Sequence, residues 1–158
     1  MENPKLLPLA ILYAQEQSAV EGITRFQKLV FLAQKERDSL DIDEYEFKPD
    51  DFGPFSKELY DDIDELVDHG YAICETTRTR SGGKKKIYSL TEKGEQFFKL
   101  LLDFEDYESD GSSPSMEELE EEVGELKRKH NDTPLLELLK ELYLEYPDMA
   151  VNSNLDLV

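Results

Sequence analysis

Six carboxylate side chains are concentrated on one predicted helix, between Lys57 and His69. They are Glu58, Asp61, Asp62, Asp64, Glu65 and Asp68. Carboxylates at this density attract a basic protein surface and repel the phosphates of a nucleic acid. Base readout in the major groove relies on Arg, Lys, Asn and Gln donors, and this helical face offers a single lysine. The pattern therefore favours a surface that binds a basic partner, although a simple solvated helix face has the same composition.

One basic cluster follows the acidic helix along the chain. Its members, which surround a predicted Ser81-Gly82-Gly83 hairpin turn, are Arg78, Arg80, Lys84, Lys85 and Lys86. Such a cluster can grip the phosphates of DNA, with an affinity that falls steeply as the salt concentration rises. Lysines also protect the exposed edge of a hairpin from pairing with other strands. The residues leave both interpretations open.

No other group of side chains predicts catalysis or a metal site. His69 and His130 lack companions at ligand spacing, and Cys74 lies inside a predicted strand without a base beside it. Adjacent carboxylates such as Asp61 and Asp62 do not face each other on a helix. We therefore expect no catalytic residue, no metal, no cofactor and no small-molecule substrate, so the chain is not expected to be an enzyme.

The 158-residue chain has a formal net charge of −19. Residues 103–158 contribute −13 of this charge, from 17 acidic and 4 basic residues. So acidic a molecule is unsuited to non-specific adhesion to nucleic acid or to an anionic membrane. The acidity is typical either of adaptation to a high-salt cytosol or of a solvated tail. A single cysteine and the lack of an apolar run long enough to span a membrane favour a cytoplasmic protein without a membrane partner.

The elements that position these residues predict an α+β, mostly helical fold. Helices are expected over residues 4–17, 24–40, 57–69 and 92–102, and strands over 71–80 and 87–90. Ser56 and Thr91 are predicted N-caps, Gly70 ends the third helix, and Thr24 and Gln27 match a capping box. The order helix, strand, basic hairpin, strand and helix is typical of a winged helix-turn-helix with a two-stranded wing, here over residues 1–102.

Two additional C-terminal helices are predicted in residues 115–158. They cover about 115–129 and 133–146 and follow an acidic segment, 103–114, whose composition predicts a flexible linker. A narrow apolar seam in the first of them repeats at a spacing of three and four residues, through Met116, Leu119, Val123 and Leu126. This seam favours either a homodimer through the C-terminal helices or packing against another helix of the same chain.

Several sequence blocks resemble a known family. They are FQKLVFLAQKE (26–36), YEFKPDDFGPFSKELYDDIDELVDHG (45–70), YSLTEKG (88–94) and the closing phrase EYPDMAVNS (145–153). The blocks resemble the YwgA-type proteins and archaeal predicted transcriptional regulators, and the first two also resemble SocA-like antitoxins with the Panacea domain. The F-G-P-F-S-K-E-L-Y block is the most specific part. The resemblance implies a non-catalytic winged-helix regulator whose partner is DNA in the regulators and a protein in the antitoxins.

The charge of helix 57–69 and the antitoxin-like resemblance together favour a regulatory module that binds a protein partner through this helix. The alternative is a DNA-binding transcriptional regulator that acts as a dimer and uses the basic wing at residues 78–86. The two hypotheses differ in the charge of the partner, which is positive in the first and negative in the second.

Overall fold

The computed structural model describes residues 5–36, 44–108 and 115–153, and its fold is α+β and mostly helical. Its elements, in chain order, are α1 Leu6–Gln17, β1 Val20–Glu21, α2 Ile23–Glu36, β2 Lys48–Asp50, β3 Gly53–Phe55, α3 Lys57–Asp68, β4 Ala72–Arg78, β5 Lys84–Leu90, α4 Glu92–Glu108, α5 Met116–His130 and α6 Leu135–Glu145. A short 3-10 helix, Pro147–Ala150, follows α6. In the described ranges, no helix combines the length and the apolar character needed to cross a membrane.

Two small antiparallel sheets accompany the helices. One has the strand order β1-β5-β4, and the other consists of β2 and β3. In the first sheet, Tyr88 on β5 lies opposite Val20 on β1 and opposite Cys74 on β4. Side chains alternate along a strand, so this register places Val20 and Tyr88 on the same face of the sheet. Both are buried, and the sheet therefore closes one side of the core.

The central helix of the fold is α1. Its side chains from Leu6 to Leu12 are buried around the whole circumference, because α2, α4, α5 and β5 all pack against it. A helix that is apolar on every side requires such covering. Its N-terminus lacks a local cap, and the Glu44 carboxylate accepts hydrogen bonds from the backbone N–H groups of Leu6 and Leu7 at 2.8 and 2.7 Å.

The C-terminal helices share this core. Leu119, Val123 and Leu126 of α5 are at most 1% exposed, and α5 packs against α1 and α2. The stripe predicted as a dimer seam is therefore covered by helices of its own chain, while the side chain of its first member, Met116, lies outside the described part. The seam is narrow because α5 packs with one apolar stripe against α1. The helix α1 is apolar on every side and needs an apolar partner there. A homodimer would have to use another surface.

One helix end differs from the prediction. The helix α4 runs to Glu108, so residues 103–108 are helical and do not belong to a flexible linker, while 109–114 lie outside the described ranges. The segment 103–108 contains neither Gly nor Pro, and its leucine-rich predecessor continues the helix without interruption. The helix α2 is described as far as Glu36, and its predicted extension over 37–40 is likewise outside the described residues.

A buried glutamine of α2 fastens the start of α3. The amide of Gln27, which is 1% exposed, donates to the Ser56 carbonyl at 2.9 Å, and its oxygen accepts from the Ser56 N–H at 3.0 Å. The predicted capping box from Thr24 to Gln27 is therefore wrong: α2 begins at Ile23, and Gln27 serves the turn before α3. The hydrogen-bond partner of Gln27 is therefore Ser56, 29 positions away, and not Thr24, as the local spacing had predicted.

The neighbouring Lys28 is buried as well. It is 2% exposed, and its Nζ donates to the Pro54 carbonyl at 2.8 Å. Burial lowers the pKa of Lys28 to about 7, against the opposing effect of the Asp50 carboxylate. Around this contact the blocks FQKLVF, FGPFS and EYPDMAVNS meet: the Phe31 ring lies 5.2 Å from that of Tyr146, with an edge-to-face geometry. Three of the blocks that carry the family resemblance thus form one packed unit.

A buried lysine of α5 satisfies the irregular end of α1. Residues 15–17 have φ between +56° and +59°, a left-handed conformation that is unfavourable for side chains with a Cβ. Lys127 is 0% exposed, and its Nζ donates to the carbonyls of Ala14 and Ser18 at 2.8 and 2.7 Å. Burial lowers the pKa of Lys127 to about 7. This lysine therefore holds the bend that carries the chain from α1 into β1.

Candidate functional site

The acidic helix α3 is held firmly at both ends. The Ser56 Oγ accepts from the Leu59 N–H at 3.2 Å, which confirms the predicted N-cap. Gly70 has φ +79°, and its N–H donates to the Val67 carbonyl at 3.0 Å, which confirms that this glycine ends the helix in the left-handed conformation. The surface of α3 is consequently presented in a fixed orientation.

One face of α3 is buried and the opposite face is acidic. Leu59, Ile63 and Leu66 are at most 1% exposed and attach the helix to the core. Five of the six predicted carboxylates are exposed: Glu58, Asp61, Asp64, Glu65 and Asp68. The sixth, Asp62, is half-buried because it accepts a hydrogen bond from the Tyr45 hydroxyl at 2.7 Å. Its partial burial raises the pKa of Asp62, so this side chain belongs more to the fold than to the surface.

The exposed carboxylates differ in their partners. Glu58 forms an ion pair with Lys5, and Asp61 forms one with Lys57 at 2.6 Å. Within the described ranges, Asp64, Glu65 and Asp68 form no ion pair. We call these three residues the free acidic row. They occupy the C-terminal half of α3, whereas both ion pairs lie in its N-terminal half.

The free acidic row is electrostatically unfavourable in the folded chain. Asp64 and Asp68 are four residues apart, as are Asp61 and Glu65, and like charges at this spacing destabilise a helix by about 0.2–0.5 kcal/mol per pair. The last turn of α3 contains no basic residue, so Glu65 and Asp68 also face the negative end of the helix dipole. The pKa of Lys57 is raised mainly by Asp61 and to a smaller extent by Asp64, but Lys57 forms its ion pair with Asp61.

The basic hairpin consists of β4, β5 and the turn at residues 79–83. Its existence confirms the prediction, but β5 begins at Lys84 and not at Ile87, so the three lysines lie in a strand and not at the tip. Lys84 and Lys86 are opposite Arg78 and Thr76, respectively. The tip is instead tightened by Thr79, whose N–H donates to the Gly83 carbonyl at 2.8 Å. The lysines follow two glycines, which is typical of a turn, but β4 and β5 remain paired as far as Arg78 and Lys84.

The cations of the basic hairpin are mostly exposed. Arg78, Arg80, Lys84 and Lys86 lie at the surface, and none forms an ion pair with a described residue. Lys85 is half-buried and pairs with the Glu21 carboxylate of β1 at 2.5 Å. Four positive charges are therefore available to an external anion.

A groove with a volume of about 1000 Å³ lies beside this hairpin. Its walls are the hairpin, the N-terminus of α2 and the turn between α5 and α6. The charged residues that line it are Glu21, Arg25, Lys84, Lys85, Lys86 and Asp132, and its polar residues include Thr24, Thr76, Thr79, Asn131 and Thr133. Arg78 and Arg80 do not line it. Sequence reasoning found its lysines but missed Arg25 and the α5–α6 turn, since no spacing links residue 25 to residue 131.

Arg25 is the buried cation of this groove. It is 8% exposed, its Nη1 donates to the His130 carbonyl at 2.9 Å, and its Nε has no hydrogen-bond partner in the described structure. Burial lowers the pKa of Arg25, while the Glu21 and Asp132 carboxylates act in the opposite direction. Neither carboxylate is close enough for an ion pair. The groove therefore contains a guanidinium whose hydrogen-bonding capacity is incompletely used.

Among the side chains of the described residues, no three His, Cys, Asp or Glu groups converge to hold a metal ion. Cys74 is half-buried in β4, opposite Tyr88.

No protein-family model matches the chain, and a search of curated proteins found no match.

Proposed function

We propose that the protein is a non-catalytic regulatory module of the winged-helix type that binds a basic protein partner through the acidic face of α3. The order of elements supports the winged-helix assignment, since β1 pairs with the hairpin β4–β5 and completes a three-stranded sheet beside α1, α2 and α3. An antitoxin-like or adaptor-like role is the form of this function that the family resemblance implies.

The free acidic row is the observation that carries the proposal. Asp64, Glu65 and Asp68 are exposed, lack cationic partners among the described residues, and repel neighbours on a helix that is fixed by its caps. Residues that oppose local stability without compensation are expected at functional positions. A basic partner would relieve the repulsion, and the fixed helix would lose little conformational freedom on binding. The same row would repel DNA phosphates, so it opposes the use of α3 as a major-groove reader.

Charge-neutral substitution of the row tests the proposal. The triple variant Asp64→Asn, Glu65→Gln, Asp68→Asn should fold with equal or higher thermal stability, because it removes like-charge repulsion. It should no longer capture from native cell lysate a basic protein that the wild type captures. Purified partner and protein should then show binding that weakens as the salt concentration rises.

The chain offers a matched control on α6. Glu137, Glu141 and Glu145 form an exposed acidic row at similar spacing, but Lys140 lies among them. Their triple replacement by Gln removes the same charge and should leave binding of the partner unchanged. Equal loss of binding in both variants would mean that overall charge, and not α3, attracts the partner. Capture of no basic protein at all, together with protection of a specific DNA site, would contradict the proposal.

A second candidate function is DNA binding through the wing. The observation in its favour is the set of unpaired cations on the basic hairpin, among them Lys84 and Lys86. In a gel-shift series across salt concentrations, replacing Lys84, Lys85 and Lys86 by Ala should flatten the dependence of log K on log salt by about 0.9 per lost phosphate contact. An unchanged slope would exclude this mode of binding.

A further inference from the structure

We propose that the groove beside the basic hairpin binds a small phosphate-bearing ligand of nucleotide size, with Arg25, Lys84 and Lys86 around its phosphate groups. The inference does not rest on the partner-binding face, because no residue of α3 lines the groove. It concerns a second site with the opposite charge preference.

The local charge of the groove favours a phosphate ligand. Four cations and two carboxylates line the groove in a chain whose net charge is −19. Glu21 is already engaged by Lys85, which leaves Arg25, Lys84 and Lys86 against Asp132. A concave surface of one sign with low-dielectric walls concentrates its potential on a ligand inside it. The groove is therefore a positive region on an otherwise strongly negative molecule.

The state of Arg25 supports the same ligand. This residue is 8% exposed, yet its guanidinium makes one hydrogen bond and no ion pair in the described structure. Buried donors are nearly always satisfied, and an incompletely satisfied one in a native fold indicates a missing partner. The planar guanidinium fork matches the oxygens of phosphate, with which it forms strong bidentate hydrogen bonds. A phosphate group in the groove would supply the counter-charge that the protein does not.

The N-terminus of α2 opens into the groove. The first backbone hydrogen bond of this 14-residue helix runs from the Phe26 N–H to the Gly22 carbonyl at 3.1 Å. The preceding N–H groups, from Ile23 to Arg25, therefore have no acceptor within the helix. The first turn contains no acidic residue, and residues 22–25 all line the groove. Such a helix end favours a phosphate by its dipole and its N–H donors.

The remaining lining residues indicate more than an inorganic anion. Asn131 also lines the groove, where its Nδ2 donates to the Ala19 carbonyl at 3.0 Å. Threonine hydroxyls from the hairpin and from the α5–α6 turn line the same groove. Its volume is at the upper end of the range typical of small-molecule sites, about 300–1,000 Å³. A nucleotide combines the required phosphate, donors and size. Arg25 is recessed, so the phosphates of a rigid duplex would reach the hairpin before reaching it.

Calorimetric titration of the full chain tests the inference. The probes are inorganic phosphate, pyrophosphate, ADP and a short DNA duplex, at fixed ionic strength. We expect saturable binding of ADP or pyrophosphate. The double variant Lys84→Ala, Lys86→Ala should weaken it by about tenfold or more, since a hydrogen bond to a charged group contributes about 1.5–3 kcal/mol. Both lysines are exposed, so the variant should keep its fold.

The matched control is Arg78→Ala, Arg80→Ala, which removes the same charge from the same hairpin outside the groove. It should weaken ADP binding less than the lysine variant does, because neither arginine lines the groove. Arg25→Lys keeps the charge but loses the fork, and should weaken binding if it folds. The proposal is overturned by absence of saturable binding to all three small probes. It is also overturned by equal losses in the two double variants, or by binding of the duplex alone. The α3 triple variant should bind ADP like the wild type, which separates this result from the fate of the proposed function.

Discussion

Replacing the buried Lys127 by Met should remove a specific part of the pH dependence of folding. In the folded chain this lysine is 0% exposed and its pKa is lowered to about 7, whereas the unperturbed value is 10.5. Between these values the unfolded chain binds more protons at this position than the folded chain. The free energy of unfolding therefore rises as the pH increases through this window. Met has a similar shape and does not titrate.

The magnitude follows from the two pKa values. With a pKa of about 7 in the folded chain and 10.5 in the unfolded chain, linkage predicts the contribution of Lys127 to pH dependence. The free energy of unfolding should increase by about 2 kcal/mol from pH 7 to pH 9 because of this residue. Lys28 should contribute a similar amount, since burial also lowers its pKa to about 7. Because Lys28 is present in wild type and variant alike, its contribution cancels in the difference between them. That difference should therefore grow by about 2 kcal/mol over this range.

Urea denaturation at pH 7, 8 and 9 measures the effect directly. Lys127→Met leaves the buried Ala14 carbonyl and the partly buried Ser18 carbonyl without this donor, and an unsatisfied buried acceptor costs about 1–3 kcal/mol at every pH. The change with pH is thus the informative quantity, and not the absolute loss. The exposed Lys140→Met serves as the control and should show a constant difference from wild type. A constant difference for Lys127→Met as well would refute the reasoning from burial.

Two glycine substitutions should have opposite effects on stability. At Gly94 an added Cβ would lie 1.9 Å from the Tyr71 carbonyl oxygen, so Gly94→Ala must displace α4 from the turn between α3 and β4 and should cost about 3 kcal/mol. At Gly124 in α5 the nearest atom is the Nη1 of the flexible Arg128 side chain at 3.3 Å, and Gly124→Ala should stabilise the fold by about 0.5–1 kcal/mol. Thermal denaturation of both variants checks the pair; equal effects would mean that helix propensity, and not contact at Gly94, decides the outcome.

Local sequence signals predicted most of the secondary structure around α3. The helix ends predicted at Ser56, Gly70 and Thr91 are all correct. Each of them depends only on residues that are close in the sequence. The exposure of most of the acidic face also followed from helical periodicity alone. Asp62 is the exception, because Tyr45 approaches it from a different part of the chain.

The errors came from contacts between distant residues. Gln27 had a plausible local partner in Thr24, but Ser56 offered both a donor and an acceptor. The apolar seam of α5 has the spacing of a two-helix interface, and spacing does not say whether the second helix belongs to the same chain. The burial of Lys127 depends on the bend at residues 15–17, which lies more than a hundred positions away in the sequence. The groove was missed for the same reason, since Arg25 and Asn131 are adjacent only in the fold.

The packing of α5 on α1 has a consequence for how the chain acquires its structure. Lys127 closes a contact with Ala14 across 113 positions, and the central helix remains partly uncovered until that contact forms. Contacts of such long sequence separation slow folding, because loop closure precedes any stabilisation. During synthesis the leucine-rich α1 leaves the ribosome long before α5, the last of the elements that pack against it. We expect the nascent chain to expose part of this apolar helix for several seconds, at about 5–20 residues per second, and to depend on chaperones during that interval.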